Sequence, residues 1–219
     1  MRFSRGLRGL IRDLLSDDIV ARKRAGEMLS RARDPETFVA LIEALGETDD
    51  RELRYYILCL IGNVVRNNKN VLEGLKGTGL IEKIIGVTSK LDDFMLYKLT
   101  TLYLYRIGDP RLGPVLFETA RRLKSEYCAA TDETVDIIEG FIRMGSSVVD
   151  ILIGALGDRD PCIRHIAVIA LGYIGDGRAA EPLVRVLMDP NVDRVTRRLA
   201  KSSLKMLGGG AIEPLIRIL

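Results

Sequence analysis

A chain of 219 residues can form one large domain or two small ones, and its 47% hydrophobic and 29% charged residues are typical of a soluble globular protein. No apolar run approaches the length of about 18 residues that a transmembrane helix needs, and charges interrupt the N-terminus too often for a signal peptide. The net charge of +3 is divided between basic ends and an acidic middle, which differs from a uniformly basic nucleic-acid-binding protein. We therefore expect a cytoplasmic protein with no membrane segment.

The first predicted element is an amphipathic helix within residues 1–17. Its apolar face holds Phe3, Leu7, Leu10, Ile11, Leu14 and Leu15, and its opposite face holds Arg2, Arg5, Arg8 and Arg12. The terminal unit of a repeat array needs such a polar outer face for solubility. We predict that this helix caps the array that follows it.

The rest of the chain repeats the pattern Arg-x-x-Ala-x-x-small-Leu, followed by a glycine turn and a second short apolar stretch. Each copy predicts a pair of helices, because its apolar residues recur at the spacing of one helix face. The last residue of the pattern, here called the anchor, recurs as Leu29, Ile61, Leu104, Phe141, Leu171 and Leu204. These anchors divide the chain into approximate repeats 18–49, 50–92, 93–130, 131–158, 159–189 and 190–219.

Prolines fall where this division places the helix boundaries, which is where a residue without an N–H does least damage. Four of them follow an aspartate that we expect to cap the helix that the proline begins, namely Pro35, Pro110, Pro161 and Pro190. The other three, Pro114, Pro182 and Pro214, fall in the first turn of a predicted second helix. The long repeat 50–92 has room for an additional short helix before Gly77, and three helices are typical of an armadillo repeat.

The clearest copy resembles a known family. Arg164-x-x-Ala167-x-x-Ala170-Leu171-Gly172-x-Ile174-Gly175-Asp176, followed by Ala180-Glu181-Pro182-Leu183, resembles the short HEAT-like repeat first described in phycobilin lyases. Residues 104–109 and 200–219 resemble it too. The resemblance implies an all-α protein, a right-handed α-α superhelix (a HEAT/armadillo-like solenoid) of about six helical repeats in one domain, 1–219. The motif carries no chemistry, so the fold alone does not define the function.

Histidine and carboxylate chemistry is sparse. His165 is the sole histidine, whereas a metal site needs three or four ligands with His or Cys prominent. Deoxyhypusine hydroxylases resemble this fold but hold iron with several His-Glu pairs, and this chain has none. The aspartates that precede first helices are explained by capping. We therefore predict no catalytic residues, no metal and no cofactor, and expect that the protein is not an enzyme.

The three cysteines, Cys59, Cys128 and Cys162, are widely spaced within apolar helical stretches. This arrangement predicts reduced, buried thiols. Cys162 and His165 share one helix face near a helix start, where an imidazolium could activate the thiol. We favour a semi-buried cysteine beside a solvent-facing histidine, because no third group is placed to orient the pair.

Arginines occupy the first position of the repeated pattern at Arg22, Arg54, Arg164 and Arg197. Carboxylates lie between the repeats in the same register. We expect these arginines to pair with the inter-repeat carboxylates rather than with a ligand, because a guanidinium and a carboxylate match in charge and shape.

A column of charged residues is predicted along the second helices, which by resemblance line the concave face of such arrays. It lies two residues after a recurring leucine and comprises Arg12, Glu43, Glu82, Glu118, Arg185 and Arg217, with Gly154 in the same register. The column is basic, then acidic, then basic. It is either an ordinary solvated helix face or a charge pattern that selects a partner.

The leading hypothesis is a non-catalytic scaffold that binds a partner protein along this concave surface. Basic clusters near both ends leave a nucleic-acid-binding protein, similar to the HEAT-like DNA glycosylases, as an alternative. A lyase-type or chaperone-like subunit that acts with a partner is a third hypothesis.

The apolar C-terminus "AIEPLIRIL" predicts an end-to-end homodimer or a truncated array. The absence of Gln fits a heat-adapted source.

Overall fold

The computed structural model describes residues 4–68, 70–123 and 132–208. Every regular element within these ranges is helical, which confirms the predicted all-α class. Two compact units are present, Met1–Leu99 and Thr100–Leu219. The homodimer prediction falls on residues 209–219, outside the described part of the chain, and the single-domain arrangement stays a prediction.

The first unit is built from alternating second and first helices. Its helices are α1 (Arg5–Leu14), α2 (Ile19–Leu29), α3 (Pro35–Leu45), α4 (Arg51–Asn67), α5 (Leu80–Thr88) and α6 (Asp93–Leu99). The second helices pack side by side, α1 against α3 and α3 against α5, while α2 and α4 lie on the first-helix layer. The additional short helix predicted before Gly77 is a 3-10 turn, Glu73–Leu75.

The second unit continues the same alternation. It contains α7 (Tyr105–Ile107), α8 (Gly113–Arg122), α9 (Asp132–Met144), α10 (Val149–Ala155), α11 (Pro161–Ile174), α12 (Ala180–Met188) and α13 (Arg194–Leu207). A π-helical turn, Thr100–Leu104, leads into α7. The first helix α11 lies between α9 and α13, and the second helices α10 and α12 pack against α11 and α13 respectively.

Aspartates begin most first helices, as the sequence predicts. The carboxylates of Asp18, Asp50 and Asp160 accept hydrogen bonds from backbone N–H groups in the first turns of α2, α4 and α11. The prediction that Pro190 begins a helix is wrong, because Pro190 lies in a turn. Helix α13 begins four residues later, where Asp193 accepts from the Thr196 N–H.

The anchors of the repeated pattern lie in the core of the protein. All six anchors, from Leu29 to Leu204, are at most 5% exposed. Small residues let the helices around them approach closely. A Cβ on Gly172 of α11 would lie 2.7 Å from the Cβ of Ser203 on α13, whose hydroxyl donates a 2.8 Å hydrogen bond to the carbonyl of Val168. The glycine therefore sets the distance between α11 and α13.

The repeated arginines tie each loop to its own first helix. Three of them donate to the backbone carbonyl six residues earlier, Arg22 to Ser16, Arg54 to Thr48 and Arg164 to Asp158. Buried loop carbonyls need such partners, since no helix bond satisfies them.

Two of these arginines also reach the next repeat. Arg54 binds the carboxylate of Asp92 at 2.7 Å, and Arg164 binds that of Asp193 at 2.6 Å. Both carboxylates also accept a backbone N–H at the start of the following first helix. The predicted pairing with inter-repeat carboxylates is confirmed for Arg54 and Arg164, whereas Arg22 binds a carbonyl.

Substituting alanine for Gly172 tests the close approach of α11 and α13. We expect Gly172→Ala to lower the free energy of unfolding by about 1–2 kcal/mol, because the new methyl group meets backbone as well as side-chain atoms of Ser203. Gly154→Ala is the matched control, since nothing lies within 4 Å of its Cβ position and alanine favours the helix by up to about 1 kcal/mol. Denaturant unfolding of both variants measures the difference, and equal stabilities would contradict the packing described.

The tie between Arg164 and Asp193 is tested by replacing the carboxylate with an amide. Asn caps a helix as well as Asp does, so Asp193→Asn removes chiefly the charge that faces Arg164. We expect a loss of about 1–2 kcal/mol in the free energy of unfolding, because Arg164 is largely buried. Asp18→Asn changes a cap that is exposed and should cost less than about 0.5 kcal/mol. Equal losses of unfolding free energy in Asp193→Asn and Asp18→Asn would refute the tie between Arg164 and Asp193.

Candidate partner-binding grooves

Two grooves lie between consecutive second helices, one in each unit. The first, the α1–α3 groove, has a volume of about 600 Å³ and is lined by Arg8, Ile11, Arg12, Leu15, Ser16, Ala40, Glu43 and Glu47. The second, the α10–α12 groove, has a volume of about 490 Å³, and its lining includes Ile153, Leu156, Gly157, Asp158, Arg164, Pro182, Arg185, Val186 and Asp189. Both grooves are open to solvent.

The two grooves are formed by the same positions of the repeat. Six lining positions correspond at one constant offset along the chain, pairing Ile11 with Ile153, Leu15 with Gly157, Ser16 with Asp158, Ala40 with Pro182, Glu43 with Arg185 and Glu47 with Asp189. Neighbouring second helices therefore generate an equivalent groove in each unit, while the residue types at its walls differ.

Helical periodicity explains how the walls of the α1–α3 groove arise. Three lining residues of α1 and its C-cap Leu15 follow the spacing i, i+3, i+4 and i+7, which places them on one face. Leu7 and Leu14 lie on the face turned to the core, where they are buried. Ala40 of α3 lies at the buried base of the groove, Glu43 follows one turn later, and Glu47 lies in the turn just after the helix.

Most charges of the α1–α3 groove have weak partners or none. Within the described ranges, neither Arg8 nor Glu47 takes part in an ion pair. Arg12 lies 3.6 Å from the carboxylate of Asp13, with its side chain 83% exposed. Glu43 forms the one close pair, at 3.1 Å from Lys83. Arg8 and Arg12, which we call the arginine wall, therefore face the groove with little of their charge neutralised by carboxylates of the protein.

Three of the four charged residues that line the α10–α12 groove are paired within the protein, whereas Asp189 takes part in no ion pair among the described residues. Asp158 accepts a 2.6 Å hydrogen bond from Arg121, and Arg185 pairs with Glu181 one turn earlier on α12. Burial raises the pKa of Asp158, but hydrogen bonds from the Asp160 N–H and from Arg121 outweigh it and hold the pKa below its usual range. This groove therefore offers a partner less unsatisfied charge than the first one.

The predicted charge column is only partly assembled into these grooves. Arg12 and Glu43 line the α1–α3 groove, and Arg185 lines the α10–α12 groove. Glu82 is exposed on α5 and Glu118 pairs with Arg122 on α8, and neither lines these grooves. Arg217 lies outside the described residues. Sequence reasoning missed Arg8 and Glu47, although their spacing of four residues from Arg12 and Glu43 carries the signal.

Nothing in the described residues provides a metal site or a membrane segment. No group of three or more His, Cys, Asp or Glu side chains there could hold a metal ion. No helix in those ranges is both long and apolar enough to span a membrane.

The predicted reduced and buried thiols are wrong for two of the three cysteines. Cys59 is free but exposed, because it lies on the outward face of the amphipathic helix α4. Cys162 is buried but disulfide-bonded. Cys128 lies outside the described residues. A reactive Cys162 thiol is therefore not supported.

His165 is buried, so the prediction of a solvent-facing histidine beside Cys162 is wrong. The packing of α13 against α11 covers the ring, leaving the residue 8% exposed. Among the described residues neither ring nitrogen has a hydrogen-bond partner, and Nε2 lies 3.7 Å from the carboxylate of Asp193. Burial lowers the pKa of His165 below its usual range, although Asp193 acts in the opposite direction.

The buried histidine predicts a defined acid sensitivity. Because the pKa of His165 is lower in the folded than in the unfolded protein, the unfolded state takes up the proton first, and stability falls as pH drops below about 6.5. The depressed pKa of Asp193 acts only at much lower pH. We expect wild type to lose more unfolding free energy than His165→Leu between pH 7.5 and 5.5. Equal losses in denaturant titrations would show that His165 is not the cause.

Comparison with known proteins agrees with the helix pairs. Residues 122–205 match the family model of HEAT repeats. No curated protein matches the chain. Among solved structures, the chain is similar to the complex of CpcE and CpcF of phycocyanin lyase from Nostoc sp. PCC7120, at 18% identity over 99% of this chain and 94% of that chain, with a TM-score of 0.31. A match to HEAT repeats is therefore shown for residues 122–205 of the chain.

Proposed function

We propose that this protein is a non-catalytic scaffold that binds a partner protein through the grooves between its second helices. One observation carries the proposal: equivalent repeat positions form an open groove in each unit, with an apolar floor and charged walls. An apolar floor and polar rim are typical of protein–protein interfaces. An open groove is less suited to a small molecule, because such ligands are mostly buried when bound.

The charges of the walls favour a protein partner over a nucleic acid. A phosphate backbone would be attracted by Arg8 and Arg12 but repelled by Glu43 and Glu47 across the same groove. Other basic residues that favour the alternative lie outside the grooves, on the exposed face of α13, at Arg194, Arg198 and Lys201. A protein segment can carry both signs of charge, which a nucleic acid cannot.

The test places a photo-crosslinking amino acid at the equivalent groove positions. Full-length protein with benzoylphenylalanine at Ile11 or Ile153 is irradiated in native lysate, and a third variant carries it at Tyr173, which is 61% exposed on the first helix α11. We expect crosslinks to the same protein from both groove positions and none to it from position 173. Mass spectrometry identifies the product.

The scaffold proposal fails if the groove positions give no crosslink, or give the same products as position 173. A crosslink to DNA or RNA from the grooves would instead favour the nucleic-acid alternative.

A further inference from the structure

We infer that the α1–α3 groove binds a helical segment of the partner in which an apolar stripe is flanked by acidic residues on one side and by a basic residue on the other. The inference rests on the proposed scaffold function and adds the chemistry of the partner to it. It follows from comparing two grooves that the same repeat positions form with different side chains.

The arginine wall specifies the acidic flank. Arg8 and Arg12 lie one turn apart on the groove face of α1, and neither has a close carboxylate partner within the described residues. A guanidinium binds a carboxylate through two parallel hydrogen bonds, so each arginine can take one acidic side chain. Two acidic residues four positions apart on a bound helix have the same spacing as the two arginines.

The floor specifies the apolar stripe. Ile11 and Leu15 are half-buried along one side of the groove, so both offer apolar surface to a ligand. Across from them stands Ala40, whose small side chain leaves a hollow instead of filling it. The volume of about 600 Å³ accommodates several large aliphatic or aromatic side chains, which is how an amphipathic helix binds in a groove.

The glutamate wall specifies the basic flank. Glu47 has no ion pair within the described residues, whereas Glu43 is engaged by Lys83 at 3.1 Å. A single lysine or arginine on the bound segment therefore finds one available carboxylate. Glu43 and Glu47 would also repel a segment with acidic residues on both flanks.

The α10–α12 groove shows why the first groove is the selective one. Its position equivalent to Glu43 is Arg185, which Glu181 already neutralises, and Asp158 is bound by Arg121. The position equivalent to Arg12 is Gly154, so this groove has no arginine wall. A ligand gains less from charge there, because it would have to replace existing ion pairs.

The test uses three fluorescein-labelled synthetic helices with one shared leucine stripe. The first carries Glu on one flank and Lys on the other, the second carries Glu on both flanks, and the third carries Lys on both. Circular dichroism verifies that all three are helical. Fluorescence anisotropy with the full chain at about 0.05 M salt should show the mixed-charge peptide binding at least about 10-fold more tightly than the Lys-only peptide.

Variants assign this preference to the groove. Arg8→Glu with Arg12→Glu should weaken the mixed-charge peptide at least about 10-fold and strengthen the Lys-only peptide, and Arg8→Gln with Arg12→Gln should have a smaller effect in the same direction. Arg5→Glu with Arg24→Glu is the charge-matched control, because both arginines are exposed and line neither groove. That pair should leave binding of the mixed-charge peptide within about 2-fold of wild type.

The inference is overturned if all three peptides bind alike, if none binds below about 0.1 mM, or if the control pair weakens binding as much as the groove pair does. Loss of binding in Arg185→Glu alone would move the site to the α10–α12 groove. In each of these cases the scaffold function still stands or falls by the crosslinking result, so the two failures are distinguishable.

Discussion

The burial of one apolar residue per repeat, between a first helix and the helices stacked on it, is the constraint on which the structure depends. An isolated helix pair would leave that residue in water, so each repeat is stable only against its neighbours. The anchors from Leu29 to Leu204 show this in both units, with exposures of at most 5%. Arginines at Arg54 and Arg164 then fix the loop of one repeat to the first turn of the next.

The grooves are a consequence of the same constraint. Second helices that pack side by side leave a furrow between them, and its lining positions recur with the repeat. Stability therefore constrains the anchors and the small residues, while the groove positions are available to carry chemistry. The change from Glu43 to Arg185 at one repeat position illustrates that freedom, because neither side chain belongs to the core.

Much of the fold was predictable from the sequence, because its signals are local and repeat. Helix starts at Asp18, Asp50 and Asp160, the left-handed end of α11 at Gly175 and the burial of the anchors follow from capping, from glycine geometry and from periodicity. The start of α13 was misplaced, because Asp189 and Asp193 are both suited to capping.

The candidate site was less predictable, because it depends on which side chains meet across two helices. The column identified Arg12, Glu43 and Arg185, yet it missed Arg8 and Glu47 and could not show which charges are neutralised within the protein. His165 and Cys59 were misassigned for a related reason. Their burial is decided by the packing of neighbouring helices, which the pattern of one helix does not report.

Methyl NMR on the full chain, with the crosslinked partner added, tests most directly whether the grooves between second helices are the binding surface. The methyl signals of Ile11 and Leu15 should shift on binding, while those of Met28 and Met206, exposed on the first helices α2 and α13, should stay in place. Shifts confined to the first-helix methyl groups would contradict the proposed surface.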